Sequence, residues 1–361
     1  MLGIIRFFLA SCVIVFHLSM QVPHIGLLAV NFFYVISGYL ITLILNDSYN
    51  FNFRSFSVNR FLRLYPTYFF FSAISIALSL IYISGHTTAS FHPSWSGNYQ
   101  PFDLIANILL FPWEILNDYG ILSLFSNHYV PSEVARFRWI PSSWSVAVEI
   151  VCYVILWAFT ARNVLTALFT LAAAIGINAL VSYLNLNPLY KYSPFFAAML
   201  PFSLGALSYF IVKASDHRKY IFDFLNKYQL VTLMAIILLF IVNWHFASKQ
   251  WGVALFSSIP YYANNIIACL AVILLHRTQP KGYLDRICKL IGDLSYPIFI
   301  AQYIGGYIAW LLLGSPTQNR GWEIFLYGYA ITIAMSIISV LVVDGPIKSI
   351  RNRVRPKRVV P

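Results

Sequence analysis

Stretches of about twenty apolar residues recur along this chain. A helix of that length crosses the hydrocarbon core of a bilayer, because each residue rises 1.5 Å and the core is roughly 30 Å thick. The predicted spans are 3–22, 26–45, 64–84, 143–160, 164–184, 194–213, 229–246, 255–275, 290–313 and 322–343. The chain is therefore predicted to be an all-α polytopic membrane protein with about ten transmembrane helices.

Composition agrees with this class. Hydrophobic residues make up 59% of the chain and charged residues only 10%, whereas soluble domains average about 25% charged. No cleavable signal is evident, because the first span begins almost at Met1 and a second span follows directly. The four cysteines are scattered without metal spacing, so neither a disulfide framework nor a cysteine metal site is expected.

Basic residues predict the orientation in the membrane. With both termini cytoplasmic, 18 of the 24 Lys and Arg residues fall inside and five fall outside, while Arg6 lies in the first span. Cytoplasmic loops carry an excess of Lys and Arg, so both termini are predicted to be cytoplasmic. The net charge of +12 then reflects orientation and contact with anionic lipid, not nucleic-acid binding.

The longest polar stretch, 85–142, is predicted to lie outside the cytoplasm as a lid that meets a polar substrate. Its segment 103–116 is too short to span and is predicted to be an interfacial or re-entrant helix. Three histidines of the stretch match no known ligand spacing, so no metal site is expected. They are His86, His92 and His128. The chain divides into one membrane domain, 1–346, and a basic cytoplasmic tail, 347–361.

Two polar side chains interrupt the first span, Arg6 and His17. Eleven residues turn a helix through about 1100°, so both lie on one face, about 16 Å apart along the axis. A guanidinium within a bilayer costs at least about 3 kcal/mol, which points to a functional role. The alternative is that Arg6 reaches the membrane surface and His17 is an ordinary satisfied polar residue.

Three more charged residues are candidate site residues. Arg60 and Arg63 share a face at the cytoplasmic mouth of the third span and could hold phosphates, with ordinary positive-inside anchoring as the alternative. Glu149 lies several residues into an apolar span, where an unpaired carboxylate is costly. It could orient His17 or pair with Arg6, and a purely structural ion pair is the alternative.

Small residues mark two helices of the predicted bundle. Ser37 and Gly38 are predicted to permit close helix packing, as small residues do in membranes. Ser145 could contact a substrate, although a membrane serine commonly bonds to its own helix backbone. The first pair is thus expected to be structural, and Ser145 is kept as a possible substrate contact.

Four further segments complete a pattern that begins with Arg6 and His17. They read Ala-Val-Asn-Phe-Phe-Tyr-Val-Ile-Ser-Gly-Tyr-Leu-Ile-Thr at 29–42, Asn-Arg-Phe-Leu-Arg-Leu-Tyr-Pro at 59–66, Trp-Ser-Val-Ala-Val-Glu at 144–149 and Leu-Ser-Tyr-Pro-Ile-Phe-Ile-Ala-Gln at 294–302. Together they resemble acyltransferase family three, membrane-bound acyltransferases that modify cell-surface carbohydrates. The resemblance extends from residue 2 to about residue 350.

The resemblance implies a cytoplasmic acyl-coenzyme A donor, usually acetyl, and an acceptor sugar hydroxyl outside or within the membrane. It carries roles to Arg6, His17, Arg60, Arg63 and Glu149. The expected host is a bacterial inner membrane, and the expected acceptor a lipopolysaccharide O-antigen, capsule or exopolysaccharide. Succinyl or another short acyl group and an antibiotic or lipid-linked saccharide acceptor stay open. No permanently bound cofactor is expected.

The chain departs from the family pattern at three positions. Asn31 stands where an acidic residue is frequent, Gln302 replaces a common histidine, and Asp344 lies near a usual Glu-x-Pro. Gln302 is therefore not expected to be catalytic. The chain ends soon after the last predicted span, so we expect no fused periplasmic SGNH-hydrolase domain and completion of transfer by the membrane domain.

Acyl transfer to an alcohol requires a base, and histidine titrates near neutrality, so His17 is the predicted general base. Direct attack on the thioester is one route, and an acyl-histidine or acyl-serine relay is the other. The competing class is a transporter or flippase in which Arg6, His17 and Glu149 form an ion or proton pathway. The paired halves with broken helices typical of transporters are not evident, and a non-catalytic sensor or scaffold leaves the Arg6–His17 spacing unexplained.

Overall fold

The computed structural model describes most of the chain as helix. The described residues are 1–81, 88–95, 100–115, 119, 137–215, 226–276, 278, 280 and 282–354. Helix makes up 83% and no strand occurs in this described part, which confirms the predicted all-helical fold. Much of the predicted lid 85–142, including His86 and His128, lies outside the described residues.

Thirteen α-helices are defined within the described residues. They are α1 (Leu2–Ser19), α2 (Ile25–Ile44), α3 (Phe53–Ser79), α4 (Pro101–Leu109), α5 (Pro112–Ile115), α6 (Ser143–Ile155), α7 (Val164–Tyr183), α8 (Phe195–Ala214), α9 (Gln229–Ala247), α10 (Ile259–Leu275), α11 (Tyr283–Leu312), α12 (Trp322–Ser339) and α13 (Gly345–Val354). Single π-helical turns continue α2, α6 and α12. They are Leu45–Tyr49, Leu156–Thr160 and Val340–Asp344.

Eight helical runs within the described residues are long and apolar enough to cross a membrane. They are Leu2–Ser19, Ile25–Tyr49, Phe53–Ser79, Ser143–Thr160, Val164–Tyr183, Pro188–Ala214, Gln229–Ala247 and Trp322–Val354. The other two predicted spans are also helical: α10 has 17 residues, and α11 has 30 with charged residues in its first half. The polytopic character is confirmed, whereas the number ten and the cytoplasmic location of both termini stay predictions.

Several predicted helix boundaries differ from the structure, including the start of α11 at Tyr283, not at 290. The third helix begins at Phe53, not at 64, and the side chain of Asn52 caps it by accepting the Ser55 N–H at 3.0 Å. Basic residues in its first turns lower the mean hydropathy without interrupting the helix. A hydropathy window therefore does not detect these turns. The segment 103–116 holds two short helices, α4 and α5, separated at Leu110, whose φ is 62°. Its interfacial or re-entrant placement stays a prediction.

Helices α2 and α8 form one of the two most extensive helix contacts of the described chain. A Cβ atom added at Gly38 would lie 2.2 Å from the Phe202 carbonyl oxygen, and one added at Gly205 would lie 2.1 Å from that of Val35. Atoms cannot approach so closely, so both positions require glycine. This confirms the predicted close packing at Gly38 and adds its partner on α8.

Substituting Gly38 or Gly205 with alanine should destabilise the protein by about 1–3 kcal/mol or more, because the added methyl forces α2 and α8 apart. We expect a lower melting temperature in detergent and lower abundance in membranes. The matched control is Gly176→Ala on α7, where an added Cβ meets nothing within 4 Å. Equal melting temperatures for Gly38→Ala and Gly176→Ala would contradict this close contact.

Candidate active site

A cavity of about 480 Å³ lies at the end of the bundle that carries Met1. Four of the predicted site residues line it, which are Arg6, Arg60, Arg63 and Glu149. They come from α1, α3 and α6, which are far apart in the chain. Its size is that of an ordinary small-molecule or cofactor site. The structure thus brings together the predicted donor-binding arginines and two of the three predicted catalytic residues.

The mouth of this cavity is rich in basic groups. Lys289 of α11 and Arg351 of α13 also line it, beside Arg60 and Arg63. Arg60 donates to the Asn59 side-chain oxygen at 3.4 Å, and Asn59 in turn donates to the Arg351 backbone carbonyl at 3.1 Å. These contacts tie α3 to α13. Met1 and Arg351 line the same wall, so both ends of the described chain lie at this end of the bundle.

Acidic groups at the mouth are already engaged. Lys289 pairs with Asp285 one turn earlier on α11 at 2.6 Å, and Lys348 pairs with Asp293 at 3.1 Å. Surface pairs of this kind contribute about 0–1 kcal/mol, but they do neutralise two carboxylates. The arginines of α1 and α3 therefore leave the cavity with a surplus of positive charge.

Glu149 is held deeper in the cavity by two hydroxyl groups. Ser37 of α2 donates to its carboxylate at 2.8 Å, and Tyr153, one turn along α6, donates to the same oxygen. Hydrogen bonds from neutral donors stabilise a carboxylate in a buried setting. Arg6 faces the same cavity, and the described residues include no direct ion pair between Arg6 and Glu149.

A second, smaller cavity of about 50 Å³ adjoins the first. Four residues line both cavities, namely Arg6, Ser37, Glu149 and Tyr296. The smaller one continues past them between α2, α6 and α11, where Ser145 and Phe299 contribute to its wall. The Ser145 hydroxyl donates to the Ser142 carbonyl at 3.1 Å, which is the kind of backbone bond expected of a membrane serine. Ser145 also lines the smaller cavity.

His17 lies at the opposite end of α1, half-buried, and lines neither cavity. Its Nδ1 and the Tyr303 hydroxyl of α11 are 2.7 Å apart. This contact fixes the ring and leaves Nε2 as the nitrogen that can meet a substrate. The carboxylate of Glu149 bonds to Ser37 and Tyr153 instead, so the structure does not bring Glu149 into hydrogen-bonding contact with His17.

Two further basic residues surround the His17–Tyr303 pair. The Arg320 guanidinium lies 4.1 Å from the Phe91 ring centroid and 5.9 Å from that of Tyr303, and it donates to the Phe91 carbonyl at 3.2 Å. The His92 ring lies 4.5 Å from the Tyr303 ring. Burial, followed by the charge of Arg320, lowers the pKa of His92 to about 3, so His92 is neutral at physiological pH.

The three departures from the family pattern have identifiable contacts. Asn31 is buried, donates to the Tyr261 hydroxyl at 3.3 Å and accepts from Asn264 at 3.1 Å, so it ties α2 to α10. Gln302 is fully buried and donates to the backbone carbonyl three residues earlier. The Asp344 carboxylate accepts from Thr67 at 2.9 Å.

Sequence reasoning missed several members of the site. Tyr153 lies four residues after Glu149 on the same helix, a spacing that brings side chains together and gives a usable signal. The sequence gives no such signal for Tyr303, Arg320 and Arg351, because the residues they contact are distant in the chain. Among the described residues, no group of three or more His, Cys, Asp or Glu side chains is arranged to hold a metal ion.

Comparisons with known proteins give one match. A family model described as an acyltransferase domain matches residues 2–344, nearly the whole chain. Comparison with curated proteins and comparison with solved structures both give no significant match. The matched range contains every residue that lines the two cavities except Met1 and Arg351, and it includes His17 with its tyrosine partner.

Proposed function

The chain belongs to acyltransferase family three, and on that premise we propose that it transfers an acetyl group from cytoplasmic acetyl-coenzyme A to a sugar hydroxyl of a bacterial surface polysaccharide. The acceptor would be an O-antigen, capsule, exopolysaccharide or its lipid-linked precursor, and the location the inner membrane. The proposal rests on one observation. Arg6, Arg60, Arg63 and Glu149 all line the same cavity at the Met1 end of the bundle.

The Met1 end suits a nucleotide donor. Arg60 and Arg63 line the large cavity, where they would bind the phosphates of a coenzyme A that enters from the cytoplasm. Guanidinium groups bind phosphate through charge-assisted, bidentate hydrogen bonds. The pantetheine arm would then extend inwards, past Arg6 and Glu149, towards the smaller cavity. In this arrangement the thioester would lie in the interior of the bundle, and the phosphates of the donor would lie near Arg60 and Arg63.

The His17 end suits the acceptor. An acceptor hydroxyl approaching from outside would lose its proton to Nε2 of His17 as its oxygen attacks the thioester carbonyl carbon. The new C–O bond forms, the C–S bond breaks, and coenzyme A leaves as the thiolate, which takes up the proton. Tyr303 would hold the imidazole through Nδ1 during this step. Direct transfer needs the thioester close to His17, whereas a relay through an acyl-enzyme does not.

The decisive experiment follows label from donor to glycan. The purified protein in lipid vesicles is incubated with labelled acetyl-coenzyme A and with polysaccharide from the bacterium that carries it, and the glycan is analysed by mass spectrometry. Appearance of the labelled acetyl ester only with active protein is the expected result. Absence of label on any saccharide, together with saccharide movement across the vesicle membrane, would favour the transporter alternative.

The double substitution Arg60→Ala with Arg63→Ala should raise the KM for the donor at least about tenfold, because a charge-assisted contact contributes about 1.5–3 kcal/mol. Steady-state kinetics at matched protein abundance measure this. The matched control is Arg54→Ala, since Arg54 is an exposed arginine of the same helix that does not line the cavity. An unchanged KM with reduced abundance would instead support the anchoring alternative.

A further inference from the structure

The smaller cavity has features of a binding site for the reacting part of the donor. We propose that it holds the acyl group of the thioester and that its size restricts the enzyme to acetyl-sized groups, an inference that rests on the proposed function. We call it the acyl chamber. It is lined by Arg6, Ser37, Glu149 and Tyr296, shared with the large cavity, and by further residues of α2, α6 and α11.

Its location fits an acyl group better than any other part of the donor. The chamber adjoins the inner end of the large cavity, so a donor whose phosphates lie at Arg60 and Arg63 has its far end directed here. Tyr303 follows Phe299 on the same face of α11, one helical turn later and about 6 Å along the helix axis. Tyr303 contacts His17, so the chamber lies between Arg6 and the predicted base.

The volume of the chamber limits what can enter. Its volume of about 50 Å³ is roughly a tenth of the volume of the large cavity, about 480 Å³, so it favours short acyl groups. An acetyl group has three non-hydrogen atoms, a propionyl group four and a butyryl group five, whereas a succinyl group has seven. Acetyl is therefore the group that fits with the least disturbance of the surrounding helices.

The chemistry of the wall opposes a charged acyl group. Beyond the four shared residues, the wall is mainly apolar and aromatic, with Val30, Phe33, Val146 and Phe299 as its apolar members. A succinyl group would place its terminal carboxylate among these side chains, and burying an unpaired charge is costly. Arg6 and Glu149 carry opposite charges and both lie where the chamber meets the large cavity, so their effects on a succinyl carboxylate oppose each other. Size is therefore the main selection against succinyl.

The test compares donors of increasing length. With acetyl-, propionyl-, butyryl- and succinyl-coenzyme A, wild-type kcat/KM should fall as the acyl group grows, with succinyl the poorest. Phe299→Ala should raise the butyryl-to-acetyl ratio of kcat/KM at least about tenfold, because each methylene that a pocket accepts or rejects changes this ratio about 10–200-fold. Val146→Ala enlarges the chamber from α6 and should shift the ratio in the same direction, in case Phe299→Ala does not fold.

The matched control is Phe169→Ala, since Phe169 is an exposed phenylalanine of α7 that does not line the chamber, and its donor profile should equal that of the wild type. Equal use of acetyl and butyryl donors by the wild type would overturn the chamber assignment while leaving acyl transfer intact. The same holds for unchanged ratios in both enlarged variants. Failure of the wild type with every donor would overturn the proposed function and the chamber together.

Discussion

Replacing His17 with alanine should lower the rate of acyl transfer at least about 100-fold, the lower range for loss of a positioned acid–base group. The physical reason is that alanine cannot accept a proton, and Glu149 is engaged by Ser37 and Tyr153 in the other part of the bundle. The measurement is the initial rate at saturating acetyl-coenzyme A, with protein abundance matched between variants.

A second substitution separates the base from a merely structural histidine. His17→Gln retains a hydrogen-bonding side chain but cannot accept a proton near neutrality, so it should be nearly as slow as the alanine variant. His245→Ala is the matched control, because His245 is an exposed histidine at the end of α9. Near-normal turnover of His17→Gln at normal abundance would exclude general-base catalysis by His17 and direct attention to Glu149.

The helical faces of the site could be predicted from the sequence because helix geometry is local. The Arg6–His17 spacing fixes both residues on one face of α1, and the structure directs Arg6 to the cavities and His17 to Tyr303. The pairing of Arg60 with Arg63 follows from the same periodicity, and both line the cavity. Close packing at Gly38 was predictable because small residues permit helices to approach in membranes.

The contacts between distant helices could not be predicted from the sequence. Tyr303 is 286 residues from His17, and hydropathy or spacing carries no information about such a pair. The structure shows no hydrogen bond between Glu149 and His17. The sequence could not predict this, because it places both residues in helices but does not give their depth relative to one another. The start of α3 at Phe53 was missed because a hydropathy window follows burial in lipid, whereas a helix can extend beyond the membrane.

One departure from the family pattern, Asn31, has a structural explanation. Asn31 occupies a position where an acidic residue is frequent, and its amide forms hydrogen bonds to two residues of α10, Tyr261 and Asn264. An amide can both donate and accept, which a carboxylate cannot, so this network depends on asparagine. Asn31 therefore connects two helices and lines neither of the two cavities.

Replacing Arg6 with alanine should lower kcat/KM for the donor from about 30-fold upward, because truncating one member of a buried, charge-bearing site costs about 2–5 kcal/mol. Arg6 lines both cavities, so its loss would remove a positively charged donor contact from the large cavity and from the acyl chamber. Arg6→Lys keeps the charge but loses the planar fork of the guanidinium, and it should fall between the wild type and Arg6→Ala.

The double variant Arg6→Met with Glu149→Gln tests whether Arg6 acts on the donor or only balances the buried charge of Glu149, with which it makes no direct ion pair in the described residues. Removing both charges eliminates the uncompensated buried carboxylate, and such replacements are often neutral or stabilising. If Arg6 acts on the donor, abundance and melting temperature should recover in the double variant relative to Arg6→Ala, while kcat/KM stays below that of Glu149→Gln alone. If the two residues only stabilise the fold, activity should recover together with abundance, and Arg6 would lose its assigned role.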